Sequence, residues 1–266
     1  MRVERIPTLG DNYTYLIIDP GTAEAAVVDA PEADPVVRRV DALGVRVTKI
    51  LSTHHHADHT MANPVLAERF GAPVLAHASD ERRLPGFTEG LEEGDRVAIG
   101  GLEAEVLFIP AHTSGHIAYV VDDALFCGDM LFVAGCGRLF EGTAEMLYEA
   151  LNVKLARLAD DVRVFCGHEY TRSNLDFALH VEPGNRALQE KLAWVDERRA
   201  KAAPDWHDAT DAEMTIPSTL REERATNPFM RVDSAEIQES VRKQYGECPS
   251  DPAQILGRLR AMKDGF

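Results

Sequence analysis

Apolar residues along the chain follow two regimes. Up to about Tyr170 they come in short runs of β character separated by Gly, Pro and Asp, and beyond it they recur at helical spacing. Residues 13–18 and 25–28 predict a first pair of strands, with Asp19-Pro20-Gly21 as the turn between them. Residues 35–43 predict a helix closed by Gly44, 47–51 a buried strand, and 60–70 a short helix ending before Gly71. β character resumes at 73–76. Leu102, Ala104, Val106 and Phe108 alternate with their neighbours as in a half-buried strand, and 117–121 with 124–127 reads as a hairpin turning at Asp122-Asp123. Leu147, Leu151, Leu155 and Leu158 mark one face of a helix, and 162–165 is the last strand of this half.

In the second regime, Leu188, Leu192 and Val195 fall at i, i+4 and i+7, with Asn185 as N-cap. Ile237, Val241 and Tyr245 repeat the pattern, as do Ile255, Leu259 and Met262. The last set is preceded by the start signal Asp251-Pro252-Ala253-Gln254. Residues 203–227 are polar and punctuated by proline, which predicts an excursion with little regular structure. Strands mixed with helices, followed by helices alone, predict an α/β domain over residues 1–170 and a smaller helical domain over 171–266.

Composition narrows the class. With 266 residues and 45% hydrophobic content, the chain can bury a full core. No apolar run approaches the roughly 18 residues a membrane span needs. Met1-Arg2-Val3-Glu4-Arg5-Ile6-Pro7 lacks the apolar middle of a signal peptide, so a cytoplasmic location is expected, with no membrane partner. A net charge of −16 argues against nucleic acid as a partner and requires a local basic patch for any anionic substrate. Cys127, Cys136, Cys166 and Cys248 form no C-x-x-C pair and read as reduced and non-ligating.

The chemistry concentrates in Thr53-His54-His55-His56-Ala57-Asp58-His59. His54 and His56 are two apart, so in extended chain they point the same way and can share one metal ion. Asp58 and His59 turn with the backbone towards a different point, a layout that suits two ions side by side. Three further candidates each follow an apolar strand: His112 after Pro110-Ala111, Asp129 after Cys127-Gly128, and His168 after Cys166-Gly167. Counting ligands gives His54, His56 and His112 to one ion, Asp58, His59 and His168 to the other, and Asp129 to both, since a carboxylate has two oxygens. Imidazole and carboxylate without thiolate fit zinc, iron or manganese. His55 should point away from its neighbours, His116 should support a ligand rather than be one, and His77, His180 and His207 carry no spacing signal.

In order and type, these residues resemble the metallo-β-lactamase superfamily. Phe132-Val133-Ala134-Gly135-Cys136-Gly137-Arg138, Phe140-Glu141-Gly142-Thr143-Ala144, Cys166-Gly167-His168-Glu169-Tyr170-Thr171, His180-Val181-Glu182-Pro183-Gly184-Asn185, Pro217-Ser218-Thr219-Leu220 and Asn227-Pro228-Phe229-Met230-Arg231 narrow the resemblance to the hydroxyacylglutathione hydrolases, or glyoxalase II. That resemblance implies a four-layer αββα sandwich carrying a binuclear metal site, zinc foremost, followed by a smaller α-helical C-terminal domain. It implies hydrolysis of S-D-lactoylglutathione to glutathione and D-lactate by attack of a hydroxide held between the metals; Asp58 is then placed to ligate the second metal and to orient the hydroxide proton, and a monomer is expected. It places Arg138, Phe140, Tyr170, Arg260 and Lys263 at the glutathione-binding positions. Two depart from the commonest family form: Arg138 stands where Lys is frequent, and Phe140 where Tyr is, which removes one hydroxyl. The rival readings are a persulfide dioxygenase, a nuclease or β-lactamase, and a non-catalytic metal binder on the same scaffold.

Overall fold

The computed structural model describes residues 1–200, 203 and 205–266. Its internal contacts divide the chain into two units. The first comprises Met1–Phe108, Ser114–Gly128 and Ala203–Ala209, and the second Ile109–Thr113, Asp129–Ala202 and Thr210–Phe266.

In the first unit the elements are β1 (Arg2–Thr8), β2 (Asn12–Ile18), β3 (Glu24–Val28), α1 (Ala33–Leu43), β4 (Arg46–Leu51), α2 (Ala57–Thr60), α3 (Asn63–Phe70), β5 (Val74–His77) and β6 (Glu89–Leu91). The strands form one sheet in the order β1-β2-β3-β4-β5-β6. The first three run antiparallel, and β3 to β6 are parallel neighbours. Parallel neighbours need crossovers, which α1 and α3 supply between β3, β4 and β5. Both helices end on a left-handed glycine, Gly44 at φ 64° and Gly71 at φ 63°. Val36, Val40 and Leu66 of these helices share a buried cluster with Leu16, Ile18, Val27, Ile50 and Val74 of the sheet.

The other face of that sheet meets a second one made of β7 (Arg96–Ile99), β8 (Leu102–Phe108), β9 (Ile117–Val121) and β10 (Ala124–Gly128), paired antiparallel in succession. Tyr15 of β2 meets Phe126 of β10 edge-on at 5.5 Å. The buried Tyr119 of β9 donates its hydroxyl to the Ser52 carbonyl at 3.0 Å. Covered on both faces, β2 is buried along its whole length, which suits a strand in which only Asn12 and Thr14 are not apolar or aromatic. β3, β4 and β5 are parallel, so their carboxyl ends share one edge, where ligand sites of such sheets form. Asp29 and the 52–59 segment leave from that edge.

The second unit contains β11 (Leu131–Phe132), β12 (Gly135–Cys136), α4 (Ala144–Tyr148), β13 (Arg163–Cys166), α5 (Thr171–Val181), α6 (Arg186–Arg199), β14 (Ser218–Thr219), α7 (Leu220–Thr226), α8 (Ala235–Tyr245) and α9 (Pro252–Asp264). α6 and α9 start where expected, with Asn185 accepting from Leu188 N–H and Asp251 from Ala253 N–H.

Several expectations need correction. Leu147, Leu151 and Leu155 are buried together, but no single α-helix carries them: α4 widens into a π-helical stretch at Glu149–Lys154 and tightens to 3₁₀ at Leu155–Arg157, leaving Leu158 outside. A spacing of four overshoots the α-helical period of about 3.6, and a wider turn keeps the leucines on one face. The helix expected over 60–70 is two short ones, α2 and α3. The excursion over 203–227 is more regular than expected, with a 3₁₀ turn at Trp206–Asp208, then β14 and α7, while its Pro204 lies outside the described residues. α7 opens with a capping box between Thr219 and Glu222, a local signal present in the sequence. All four cysteines are free, as expected, with Cys127, Cys136 and Cys166 buried. No helix of the described residues is long and apolar enough to cross a membrane.

Candidate metal centre

Each unit contributes its own set of ligand-type side chains. In the first, the chain leaves β4 at Leu51 and passes Thr53, whose backbone N–H donates to Asp29 Oδ1 at 2.8 Å and whose hydroxyl donates to Asp29 Oδ2 at 2.7 Å. The same hydroxyl lies 3.0 Å from His54 Nδ1, and having spent its proton on Asp29 it accepts from that nitrogen. His54 therefore carries its proton on Nδ1 and presents Nε2 as an acceptor, 3.0 Å from His56 Nδ1. His59 Nδ1 donates to Asp29 Oδ2 at 3.1 Å, which again presents Nε2, 3.7 Å from Asp58 Oδ2. One buried carboxylate thus sets the tautomers of two imidazoles, the arrangement that supports metal-binding histidines.

No motif points to Asp29, although it follows the strand residues 25–28 in the way Asp129 follows its own strand. An Asp29 oxygen lies within 4.8 Å of ligand nitrogens of His54 and His59. Both its oxygens already accept hydrogen bonds, so it orients ligands rather than being one. His116 is buried and stacks on His54 at 4.8 Å and 17°, the supporting position expected of it. His55 turns aside to the buried Asp80, its Nδ1 3.8 Å from Oδ1. Gly128 has φ 47°, and any Cβ there would collide with the Thr53 side chain, so only glycine lets the chain pass this close.

In the second unit, Asp129 divides its carboxylate between two histidines: Oδ2 lies 3.5 Å from His112 Nε2 and Oδ1 3.5 Å from His168 Nε2. His112 Nδ1 donates to the Arg138 carbonyl at 2.9 Å, so Nε2 is again the acceptor nitrogen. A Cβ at Gly137 would overlap the Asp129 carbonyl and His112 Nδ1, which makes glycine obligatory at that crossing too. The donor set suits a divalent cation. Acceptor nitrogens at the 3.0 Å of the His54–His56 pair are nearly as close as two ligands of one tetrahedral ion, about 3.3 Å for bonds of 2.0–2.1 Å.

The residues assigned to substrate all fall in the second unit. Tyr170 stacks on His168 at 4.6 Å and 8°, and Phe132 presents its edge to both rings. Phe140 meets His112 edge-on at 5.2 Å and is 60% exposed. Arg138 reaches Asp264 Oδ1 at 3.4 Å, and Arg260 donates to the same oxygen at 3.1 Å. Arg260 is itself buried, over the Phe229 ring, with Nη1 on the Cys136 carbonyl at 2.7 Å. The Lys263 ammonium sits over Phe177, 5.2 Å from the ring centre, and burial, reinforced by Arg260, lowers its pKa to about 8. Phe177 and Phe229 stack at 6.0 Å, so the two cations of α9 share one aromatic shelf, as their three-residue spacing implies.

The hairpin that carries Phe132 is held from beneath by Glu223, which no motif singles out, and by Asn227, the first residue of the Asn227-to-Arg231 motif. Glu223 is fully buried, which raises its carboxyl pKa, and it accepts from Ala134 N–H at 2.8 Å and Ser218 Oγ at 2.6 Å. Asn227 Nδ2 donates to the Phe132 and Gly135 carbonyls at 3.1 and 2.8 Å.

Comparison with known proteins agrees along the whole chain. Residues 9–168 match the metallo-beta-lactamase superfamily profile, and residues 169–266 match that of the hydroxyacylglutathione hydrolase C-terminus. A hydroxyacylglutathione hydrolase from Synechococcus sp. is 46% identical over 275 residues, covering 100% of both chains. One from Rhodospirillum rubrum is 44% identical, covering 99% of this chain and 98% of its own. Among solved structures, ETHE1 from Myxococcus xanthus superposes with a TM-score of 0.65 at 25% identity, covering 99% of this chain and 98% of that one. The chain has the metallo-β-lactamase fold with an appended helical C-terminal region, and it belongs to the hydroxyacylglutathione hydrolase family.

Proposed function

We propose that the protein is a metal-dependent thioester hydrolase that converts S-(2-hydroxyacyl)glutathione, chiefly S-D-lactoylglutathione, to glutathione and the free hydroxy acid. The observation that carries this is the second unit, where the ligand pair His112 and His168 around Asp129 lies against the very aromatics, Phe140 and Tyr170, assigned to substrate. Chemistry and recognition share one body. His54, His56 and His112 would hold one ion, Asp58, His59 and His168 the other, and Asp129, with one oxygen towards each histidine, would serve both. When bound, two divalent cations, zinc foremost, supply a water of lowered pKa and a Lewis acid for the carbonyl oxygen.

The chain's own part is to position. Asp29 holds His54, through Thr53, and His59 with Nε2 presented. Asp58 Oδ2 accepts the proton of the attacking water in a hydrogen bond and so aims it. Tyr170 and Phe140, packed on His168 and His112, contact the glutathione moiety beside the ligands, while Arg138, Arg260 and Lys263 give the glutathione carboxylates a local positive field within an acidic protein. Thiolate is a good leaving group, so no strong general acid is required. On this reading residues 1–170 supply catalysis together with the Arg138, Phe140 and Tyr170 contacts, and 171–266 complete recognition through Arg260 and Lys263, in a monomer of the reducing cytoplasm, with which four free cysteines agree.

The test is loss of the thioester ultraviolet absorbance of S-D-lactoylglutathione, with matching release of free thiol. Metal-replete protein that leaves the thioester intact would overturn the proposal. Oxygen consumption with glutathione persulfide in its place would put a dioxygenase there.

A further inference from the structure

β2 begins at Asn12, which is 4% exposed. Its Nδ2 lies 3.0 Å from the Asp58 main-chain oxygen and 3.4 Å from Asp58 Oδ2. Both are acceptors, so the end of the amide that faces them is the NH₂ donor. Asp58 sits in the four-residue α2 with its side chain 42% exposed, and Asn12 Nδ2 is among the groups that hold its Oδ2, with His59 Nε2 at 3.7 Å.

Asn12 is itself held. Its main-chain carbonyl accepts the indole N–H of Trp206 at 2.9 Å, and the Trp206 ring meets Tyr13 edge-to-face at 5.2 Å and 81°. Trp206 lies in Ala203–Ala209, a segment that belongs to the first unit although the chain on either side of it belongs to the second. Next to it, His207 spans Asp205 Oδ1 at 3.0 Å and Glu32 Oε2 at 2.8 Å. Glu32 Oε2 also accepts the Leu9 N–H, at 2.6 Å. One carboxylate therefore grips both this segment and the β1–β2 turn that delivers Asn12.

We infer that Asn12 is a positioning residue for the Asp58 carboxylate, and that residues 205–208 act on that carboxylate through the Trp206 hydrogen bond to Asn12. The inference rests on the ligand role proposed for Asp58. It assigns work to a stretch that carries no motif and that resembles a linker in sequence.

The test compares Asn12→Ala, Asn12→Leu and Trp206→Phe with the unaltered protein. Zinc affinity is measured by competition with a chromophoric chelator, kcat and KM on S-D-lactoylglutathione, and Tm by calorimetry. Asn12→Leu keeps the shape without the donor. Both Asn12 variants should weaken one zinc equivalent about tenfold, leave the other unchanged, and lower kcat about tenfold with KM within about twofold. Trp206→Phe keeps the ring without the N–H and should move the same quantities the same way, by about threefold. Wild-type zinc affinities and kcat in Asn12→Leu would overturn the inference. So would equal weakening of both equivalents in step with Tm, the mark of a merely structural role. Zinc binding is read without any thioester, so an unaltered protein that failed to hydrolyse would sink the functional proposal while the zinc affinities still decided the role of Asn12.

Discussion

Asp29→Asn is the most informative single change outside the proposed ligands. The Asp29 backbone has φ 51°, a conformation asparagine adopts as readily as aspartate, so the chain path survives. Its carboxylate accepts from Thr53 N–H at 2.8 Å, Thr53 Oγ1 at 2.7 Å and His59 Nδ1 at 3.1 Å. An amide keeps one acceptor oxygen, which stays with the Thr53 N–H. The NH₂ end then faces the Thr53 hydroxyl and His59 Nδ1, both donors in the native arrangement. His59 escapes the conflict only by moving its proton to Nε2, which turns the nitrogen meant for the metal into a donor. Changes to groups that orient metal-binding histidines cost roughly 10- to 100-fold in affinity, about 1.4–2.7 kcal/mol at 1.36 kcal/mol per tenfold. The assay is competition for zinc with a chromophoric chelator, alongside the imidazole ¹⁵N shifts of the apo-protein. Expected are weakened zinc binding, most at the equivalent that His59 would ligate and less at the one His54 would ligate through Thr53, and a changed His59 tautomer. Wild-type affinity for both equivalents, with His59 still protonated at Nδ1, would refute the reasoning.

Three other outcomes follow from the same geometry. Phe140→Tyr restores a hydroxyl at an exposed ring beside His112, and a net hydrogen bond of about 0.5–1.5 kcal/mol should lower KM for the glutathione thioester by roughly two- to tenfold with kcat little changed. Lys263 carries its charge below about pH 8 and loses it above, so KM should rise as pH passes through about 8, and Lys263→Met should raise KM at pH 7 and abolish that step. Glu182 is buried, which works to raise its pKa, but Arg231 (2.8 and 3.0 Å), Ser234 and Asn185 (2.8 Å) outweigh this and lower it below 4.5. A lowered carboxyl stabilises the fold above the unfolded pKa and gives that stability up as pH falls through the folded one. Glu182→Gln should therefore cost about 2–4 kcal/mol at pH 7 and flatten the acid limb of unfolding followed by circular dichroism.

The parts of the site that are legible in sequence are those whose chemistry is local. Two histidines two residues apart at a strand end already share a direction, and Asp129 after Cys127-Gly128 announces a tight turn with a carboxylate behind it. Asp29 is equally placed after its strand, but a single aspartate after a run of small apolar residues looks like any turn. Its partners Thr53 and His59 lie 24 and 30 residues away. Asn12, Trp206 and Glu223 are hidden for the same reason, since hydrogen bonds spanning 194 or 89 residues leave no local spacing to read. The leucine ladder at 147–158 misleads in the opposite direction. Its four-residue rhythm reads as an α-helix, whereas the backbone widens to follow it. The glutathione side is legible only through motifs. Glu182 and Arg231, in two of those motifs, turn out to be each other's partners.

That two metals share one catalytic site is tested most directly by titrating apo-protein with zinc. Equivalents bound are read by calorimetry, and hydrolysis of S-D-lactoylglutathione is read at each addition. Two equivalents per chain are expected, with activity reaching its plateau only on the second. Full activity at one equivalent, or two equivalents bound with the thioester untouched, would contradict a binuclear hydrolase.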